Sequence, residues 1–101
     1  MKTTIETTDG KALVTFEGTL DSYIAEEVGE KLSPLYELED TEIKLDCTKL
    51  EYIASSGLRM FLLLLKHTAP HGCSIIVKGA NPLLMDIFET SGFKTLFKFV
   101  D

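Results

Sequence analysis

The sequence is short of positive charge and of cysteine, and each shortage argues against a class of function. Ten Lys and Arg residues stand against 16 Asp and Glu, which gives a formal net charge of −6. A nucleic-acid partner is disfavoured, because phosphate backbones demand clustered cations and the basic residues here are scattered. Cys47 and Cys73 are the only cysteines and form no CxxC pair. A zinc site is therefore not expected, and both thiols are predicted to be free in a reducing compartment.

Long apolar segments are also missing. The longest uninterrupted apolar run, from Met60 to Leu65, has six residues, whereas a helix that crosses a bilayer needs about 20. Residues 1–6 lack the apolar core of a signal peptide. We therefore expect a cytoplasmic protein without membrane insertion.

What the sequence does contain is an alternation of strand-like and helix-like segments. Asp9-Gly10 separates two β-rich runs and predicts a tight hairpin. Pro34 either kinks the first helix or starts a short turn over residues 34–38. Gly18 is expected to close the second strand. Strands are predicted at 2–7, 11–17, 41–47, 73–77 and 95–100, and helices at 21–38, 56–68 and 82–90.

This order predicts an α/β fold with a mixed, mostly parallel sheet of four to five strands packed with three to four helices. The 101 residues are expected to form one domain, 1–101, and a monomer. The β-branched run at 73–77 is typical of a strand covered on both faces.

Two adjacent serines, Ser55 and Ser56, lie where a strongly apolar helix is predicted to begin. A helix start exposes free N–H groups and the positive end of the helix dipole, so a hydroxyl there is well placed to carry or bind a phosphate. Local chemistry alone favours a simpler role, in which one serine caps the helix. Asp21 and Asp46 both sit at the C-terminal ends of predicted strands and are expected at the same edge of the sheet.

Catalysis by these serines is disfavoured on geometry. His67 lies 12 positions beyond Ser55, or about 18 Å along one helix, so it cannot serve as a general base. The GxSxG elbow is absent, since Ile53 stands where its first glycine would be, and no phosphate-loop motif is present. The chain is therefore predicted not to be an enzyme and to hold no metal or cofactor.

The helix that follows the serines is apolar almost all round. Arg59, Leu62, Leu63 and Lys66 share one stripe of it at i, i+3, i+4 and i+7. If both cations face water, the two leucines are drawn towards water with them. An exposed leucine pair beside a serine that can be modified indicates a protein-docking surface, and the alternative is a helix wedged into the core.

The chain resembles the STAS domain family, and within it the bacterial anti-anti-sigma factors. Residues 45–58 are similar to the family's strand, loop and D-[ST]-[ST]-G-L turn, and residues 18–21 to its G-x-[IL]-D. Residues 81–97 are similar to its last helix and following turn. The resemblance implies a mixed sheet packed with helices, with the serine turn at one end.

The resemblance also implies a mechanism. Unphosphorylated members bind an anti-sigma factor that is a GHKL-type serine kinase, which frees the sigma factor. The kinase phosphorylates the first hydroxyl residue of the turn, and a PP2C-type phosphatase reverses this step. Carried over by position, the acceptor is Ser55, with Ser56 as second choice. The residues expected to contact the partner are Asp21, Ser56, Gly57, Arg59, Leu62, Leu63 and Lys66.

One position departs from the family pattern, because Ala54 stands where the turn usually begins with Asp. That departure admits a domain in which Ser55 is not phosphorylated, and two other functions stay open. The chain could be a non-phosphorylated interaction subunit of a transporter or signalling complex, or a sensor that binds a small ligand at the edge formed by Asp21 and Ser55.

Overall fold

The computed structural model describes residues 1–101 and contains five strands and three helices, which alternate after an initial hairpin. Short 3-10 turns follow each helix, at Ser33–Glu37, Ala69–His71 and Phe93–Thr95. The elements in chain order are β1 (Lys2–Thr8), β2 (Lys11–Leu20), α1 (Ala25–Leu32), β3 (Glu42–Ile53), α2 (Ser55–Thr68), β4 (Ser74–Lys78), α3 (Pro82–Thr90) and β5 (Lys98–Val100).

The strands form one sheet in the order β1-β2-β3-β4-β5. The β1–β2 pair is antiparallel and the other three pairs are parallel. Each parallel connection moves one strand in the same direction, so right-handed crossovers place α1, α2 and α3 on one face of the sheet. The opposite face has no helix on it. The prediction of a mixed, mostly parallel α/β sheet is confirmed.

The core lies between the sheet and its helices. It contains 22 buried hydrophobic residues, and aromatic rings link its layers. The Phe61 ring on α2 lies 5.5 Å from that of Phe16 on β2 and 6.2 Å from that of Phe88 on α3. On β2, Ala12, Val14 and Phe16 are buried, as the alternation in the sequence predicts. These contacts fix α2 against the centre of the sheet.

The first helix is shorter than the sequence pattern suggests. It begins at Ala25 because the Asp21 carboxylate accepts hydrogen bonds from the N–H groups of Tyr23 and Ile24, which fold residues 22–24 into a turn. It ends at Leu32, and Pro34 lies inside the 3-10 turn that follows. The expectation of a helix over 21–38 is wrong, and the alternative of a separate short turn at Pro34 is confirmed.

Strand β3 is longer than predicted and runs to Ile53. Its pairing with β2 shifts register twice, and each shift inserts one extra residue in β3. As a result Cys47, Leu50 and Ile53 are buried at a period of three, and the alternation that marks a strand is lost after Cys47. Strand β2 also continues past Gly18 to Leu20, so the expectation that Gly18 closes it is wrong.

The remaining boundaries agree with the sequence to within about three residues, and α3 spans Pro82–Thr90 as predicted. The hairpin at Asp9-Gly10 is also confirmed, with Thr8 paired to Lys11. Strand β4 is not covered on both faces. Ile75 is buried under the helices, whereas Ile76 is only half-buried on the helix-free face.

Candidate functional site

The serine turn lies where two neighbouring parallel strands end. Strand β2 ends at Leu20 and β3 at Ile53, and the Ala54 N–H donates to the Leu20 carbonyl at 2.9 Å. This bond ties the residue before Ser55 to the residue before Asp21. The structure therefore brings Asp21 and Ser55 to the same edge of the sheet.

Neither serine caps helix α2. The N-cap is Ala54, whose backbone is extended at φ −83° and ψ 168° and whose side chain makes no cap hydrogen bond. Ser55 and Ser56 occupy the first two positions inside the helix. The Leu58 N–H donates to the Ala54 carbonyl at 3.0 Å, so the N–H groups of residues 55–57 precede the first bond of the helix. The capping role that local chemistry favours is wrong, and the three N–H groups stay free.

The two serine hydroxyls have different surroundings. Ser55 is exposed at the start of α2. The Oγ atom of Ser56 is buried and has no hydrogen-bond partner. A macromolecular partner therefore reaches Ser55 more easily than Ser56.

Gly57 lies buried directly beneath the turn. A Cβ atom at this position would stand 2.8 Å from Ile53 Cγ1 and 2.8 Å from Leu20 Cγ. The absence of a side chain thus lets the start of α2 approach the ends of β2 and β3.

The stripe of Arg59, Leu62, Leu63 and Lys66, called here the docking stripe, faces outward from α2. Arg59 and Lys66 are exposed, Leu63 is 37% exposed and Leu62 is half-buried. The opposite side of α2 supplies buried residues to the core. The outward orientation expected from the two cations is therefore confirmed, although the leucines keep part of their surface packed.

Asp21 and Asp46 do not share a site, contrary to expectation. Asp21 is half-buried, and its Oδ1 accepts from the N–H groups of Tyr23 at 3.0 Å and Ile24 at 3.1 Å. Asp46 lies in the middle of β3, because β3 continues through its bulges to Ile53. Only Asp21 adjoins the serine turn.

Asp46 is instead held by its own strand. Its carboxylate accepts from Thr48 Oγ1 at 2.6 Å and from Thr48 N at 3.0 Å. Burial raises the pKa of Asp46, but these hydrogen bonds and the charges of Lys78 and Lys49 outweigh that effect and hold the pKa below its usual value. Burial, with a smaller contribution from the charge of Asp46, raises the pKa of the free Cys47 thiol to about 12. The thiol is therefore unreactive.

No general base lies on the first turns of α2. His67 is in the last turn, where its ring stacks on Tyr36 with centroids 4.1 Å apart, and His71 lies beyond the helix. No group of three His, Cys, Asp or Glu side chains converges to hold a metal ion. No helix is long and apolar enough to span a bilayer.

Three exposed apolar side chains near the carboxyl ends of parallel strands were not anticipated from the sequence. Tyr23 is 97% exposed in the turn held by Asp21, and Tyr52, near the end of β3, is 43% exposed. Leu83 is 51% exposed at the start of α3, where Asn81 Nδ2 donates to the Leu50 carbonyl of β3. The sequence did contain one signal of this exposure. Tyr23 stands next to the residues that form the apolar face of α1 but does not belong to that face.

Comparison with known proteins agrees with this architecture. A family model described as "Mlab, STAS domain" matches residues 3–100. BtrV of Bordetella bronchiseptica, described as a candidate anti-sigma factor antagonist, is 30% identical over 97 residues, which cover 96% of this chain and 84% of BtrV.

Solved structures share the fold. A candidate anti-sigma factor antagonist from Thermotoga maritima has a TM-score of 0.88 at 16% identity, and the match covers 98% of this chain and 86% of that one. SpoIIAA from Bacillus, solved in its phosphorylated form, has a TM-score of 0.73 at 20% identity, with 99% and 92% covered.

Proposed function

Because the chain belongs to the STAS domain family, we propose that it is an anti-sigma factor antagonist that is switched by phosphorylation of Ser55. In its unphosphorylated form it binds an anti-sigma factor that is also a GHKL-type serine kinase, and a PP2C-type phosphatase restores that form. The observation that carries the proposal is the exposed Ser55 hydroxyl at the start of α2, beside three free N–H groups and the docking stripe. Such a partner implies a cytoplasmic location.

The start of α2 can hold a phosphate without loss of the fold. Phosphorylation adds a charge of roughly −1.5 to −2, and the helix dipole and free N–H groups favour an anion at this end. Arg59 lies four residues after Ser55 on the same helix, so the two side chains are neighbours on one face. A phosphate on Ser55 is therefore expected to draw in the Arg59 guanidinium.

This arrangement explains how one phosphate can act as a switch. A partner packed over the turn would have to desolvate the phosphate, and it would lose Arg59 as a contact. Each 1.4 kcal/mol of such a penalty changes affinity about tenfold. Asp21, Ser56, Gly57, Leu62, Leu63 and Lys66 complete the proposed contact region, with Gly57 acting from beneath it.

The test is phosphorylation by the candidate kinase encoded in the same genome, with the site mapped by mass spectrometry. We expect modification of the wild type and of Ser56→Ala, and no modification of Ser55→Ala. Modification of the wild type only at Ser56 or at another residue would overturn the Ser55 assignment.

A binding measurement by calorimetry tests the switch itself. Ser55→Asp is expected to weaken binding of the kinase at least about tenfold, which corresponds to about 1.4 kcal/mol. Ser74→Asp is the matched control, because Ser74 is exposed at the opposite end of the sheet and the change in charge is the same. Equal affinities for wild type and Ser55→Asp would contradict the switch.

The second candidate is a non-phosphorylated interaction subunit. The lack of an acid at Ala54 favours it, because the family's usual carboxylate is missing beside the acceptor. Co-purification with a transporter ATPase, together with no phosphorylation by the kinase, would support this function instead.

A further inference from the structure

The net negative charge of the chain, −6, arises within one segment. Residues 21–40 contain one Lys and seven of the 16 acidic residues, and the rest of the chain carries nine acids and nine bases. This segment includes α1 and the 3-10 turn after it. Its acids are Asp21, Glu26, Glu27, Glu30, Glu37, Glu39 and Asp40.

A groove of about 700 Å³ runs between this acidic helix and α2. Its α1 wall carries Glu26 and Glu30, which lie one helical turn apart, and its α2 wall carries Arg59 and Leu63 of the docking stripe. Met60 also lines the groove and supplies apolar surface between the two walls. The groove therefore continues the proposed contact region from α2 onto α1.

Three polar side chains of the groove, Glu26, Glu30 and Ser56, have no partner within the chain. The two ion pairs of the molecule join Lys49 to Glu17 and Lys94 to Glu89, so no cation lies within 4.0 Å of Glu26 or Glu30. Ser56 also lines the groove, and its buried Oγ lacks a hydrogen-bond partner. Two free carboxylates beside an apolar surface are complementary to a segment that carries both cations and an apolar side chain.

We propose that this groove receives a cationic amphipathic segment of the partner protein. Two Lys or Arg side chains about one helical turn apart would face Glu26 and Glu30, and an apolar side chain would pack on Met60 and Leu63. This inference rests on the proposed function, since the occupant is the same anti-sigma partner. It adds that the partner's contact surface is basic, and that the acidic segment speeds its association.

Charge reversal on either side of α1 tests the proposal, with the full chain and the candidate kinase as probe. Glu30→Lys places a cation in the groove. Glu27→Lys is the matched control, because Glu27 is also exposed on α1 but lies towards Thr3 and Lys31, away from the groove. We expect Glu30→Lys to weaken binding at least about tenfold and Glu27→Lys to change it by less than about threefold. Glu26→Lys, as a second groove variant, should behave like Glu30→Lys.

The outcomes separate the groove from the phosphorylation switch. Equal effects of Glu30→Lys and Glu27→Lys would overturn the groove, whatever Ser55→Asp does. A selective loss with Glu30→Lys and none with Ser55→Asp would support the groove and contradict the switch. Absence of any binding by the wild type would overturn both. Matching circular dichroism spectra and melting temperatures of the variants exclude loss of fold as the cause.

Discussion

At the scale of single residues, Gly57 determines how closely α2 approaches the sheet. The atoms that a Cβ would meet at 2.8 Å are Cγ1 of Ile53 and Cγ of Leu20, and both residues are almost fully buried. Neither can move aside without displacing its neighbours, because protein interiors are close-packed. Since Ser55 lies two residues before Gly57, the same close approach fixes the position of the serine turn.

We expect Gly57→Ala to destabilise the protein by about 1–3 kcal/mol, because overpacking outweighs the gain in helix propensity. Thermal unfolding measures this as a fall of roughly 4–8 °C per kcal/mol. Gly29→Ala is the matched control, since Gly29 is also inside a helix and its Cβ would lie 3.7 Å from Met60 Sδ of α2, an ordinary van der Waals contact. That variant should be neutral or more stable by up to about 1 kcal/mol. Equal shifts for both glycines would contradict the packing role of Gly57.

At the scale of elements, the start of α2 contrasts with the start of α3. The Asn81 side chain caps α3 by accepting from the Leu84 N–H at 2.8 Å. Ala54 holds the corresponding place on α2 and has the extended backbone of a cap residue, but no side-chain acceptor. The chain thus leaves uncapped the one helix start at which we propose phosphorylation.

Ala54→Asp is therefore expected to stabilise the protein by about 1 kcal/mol, because its backbone conformation already suits a capping carboxylate. Ala54→Asn should give a similar gain and separates capping from charge. Urea unfolding at pH 7 checks both variants. An unchanged midpoint for the two would show that the free N–H groups do not limit the stability of α2.

At the scale of the whole molecule, the sheet has one helical face and one open face. Adjacent isoleucines on β4 show the difference, since Ile75 is 5% exposed under the helices and Ile76 is half-buried on the open face. Because every parallel crossover moves in the same direction, no helix can reach the open face. The stability of the fold therefore depends on a single layer of packing.

Truncation of the two isoleucines measures this asymmetry. Ile75→Ala is expected to cost about 2–5 kcal/mol through lost burial and a cavity. Ile76→Ala, the same change on the neighbouring residue, should cost about 1 kcal/mol, since most surface substitutions have small effects. Similar costs for the two variants would indicate that the open face is covered in solution.

The sequence by itself determined the features that depend on neighbours along the chain. The Asp9-Gly10 turn, the alternation of Ala12, Val14 and Phe16 and the bounds of α3 follow from local backbone preferences and periodicity. The outward direction of the docking stripe followed from helical spacing and the cost of burying Arg59 and Lys66. The alternating order of elements was enough to predict the mostly parallel sheet.

Only the tertiary structure decided what depends on partners distant in sequence. The bulges that extend β3 and move Asp46 away from the serine turn arise from its pairing with β2, which no local pattern records. The hydrogen bond from Ala54 N to Leu20 O brings Asp21 beside Ser55, and the packing of α1 on α2 forms the acidic groove. Periodicity states which face of an element is apolar, but register and packing between elements decide which residues meet.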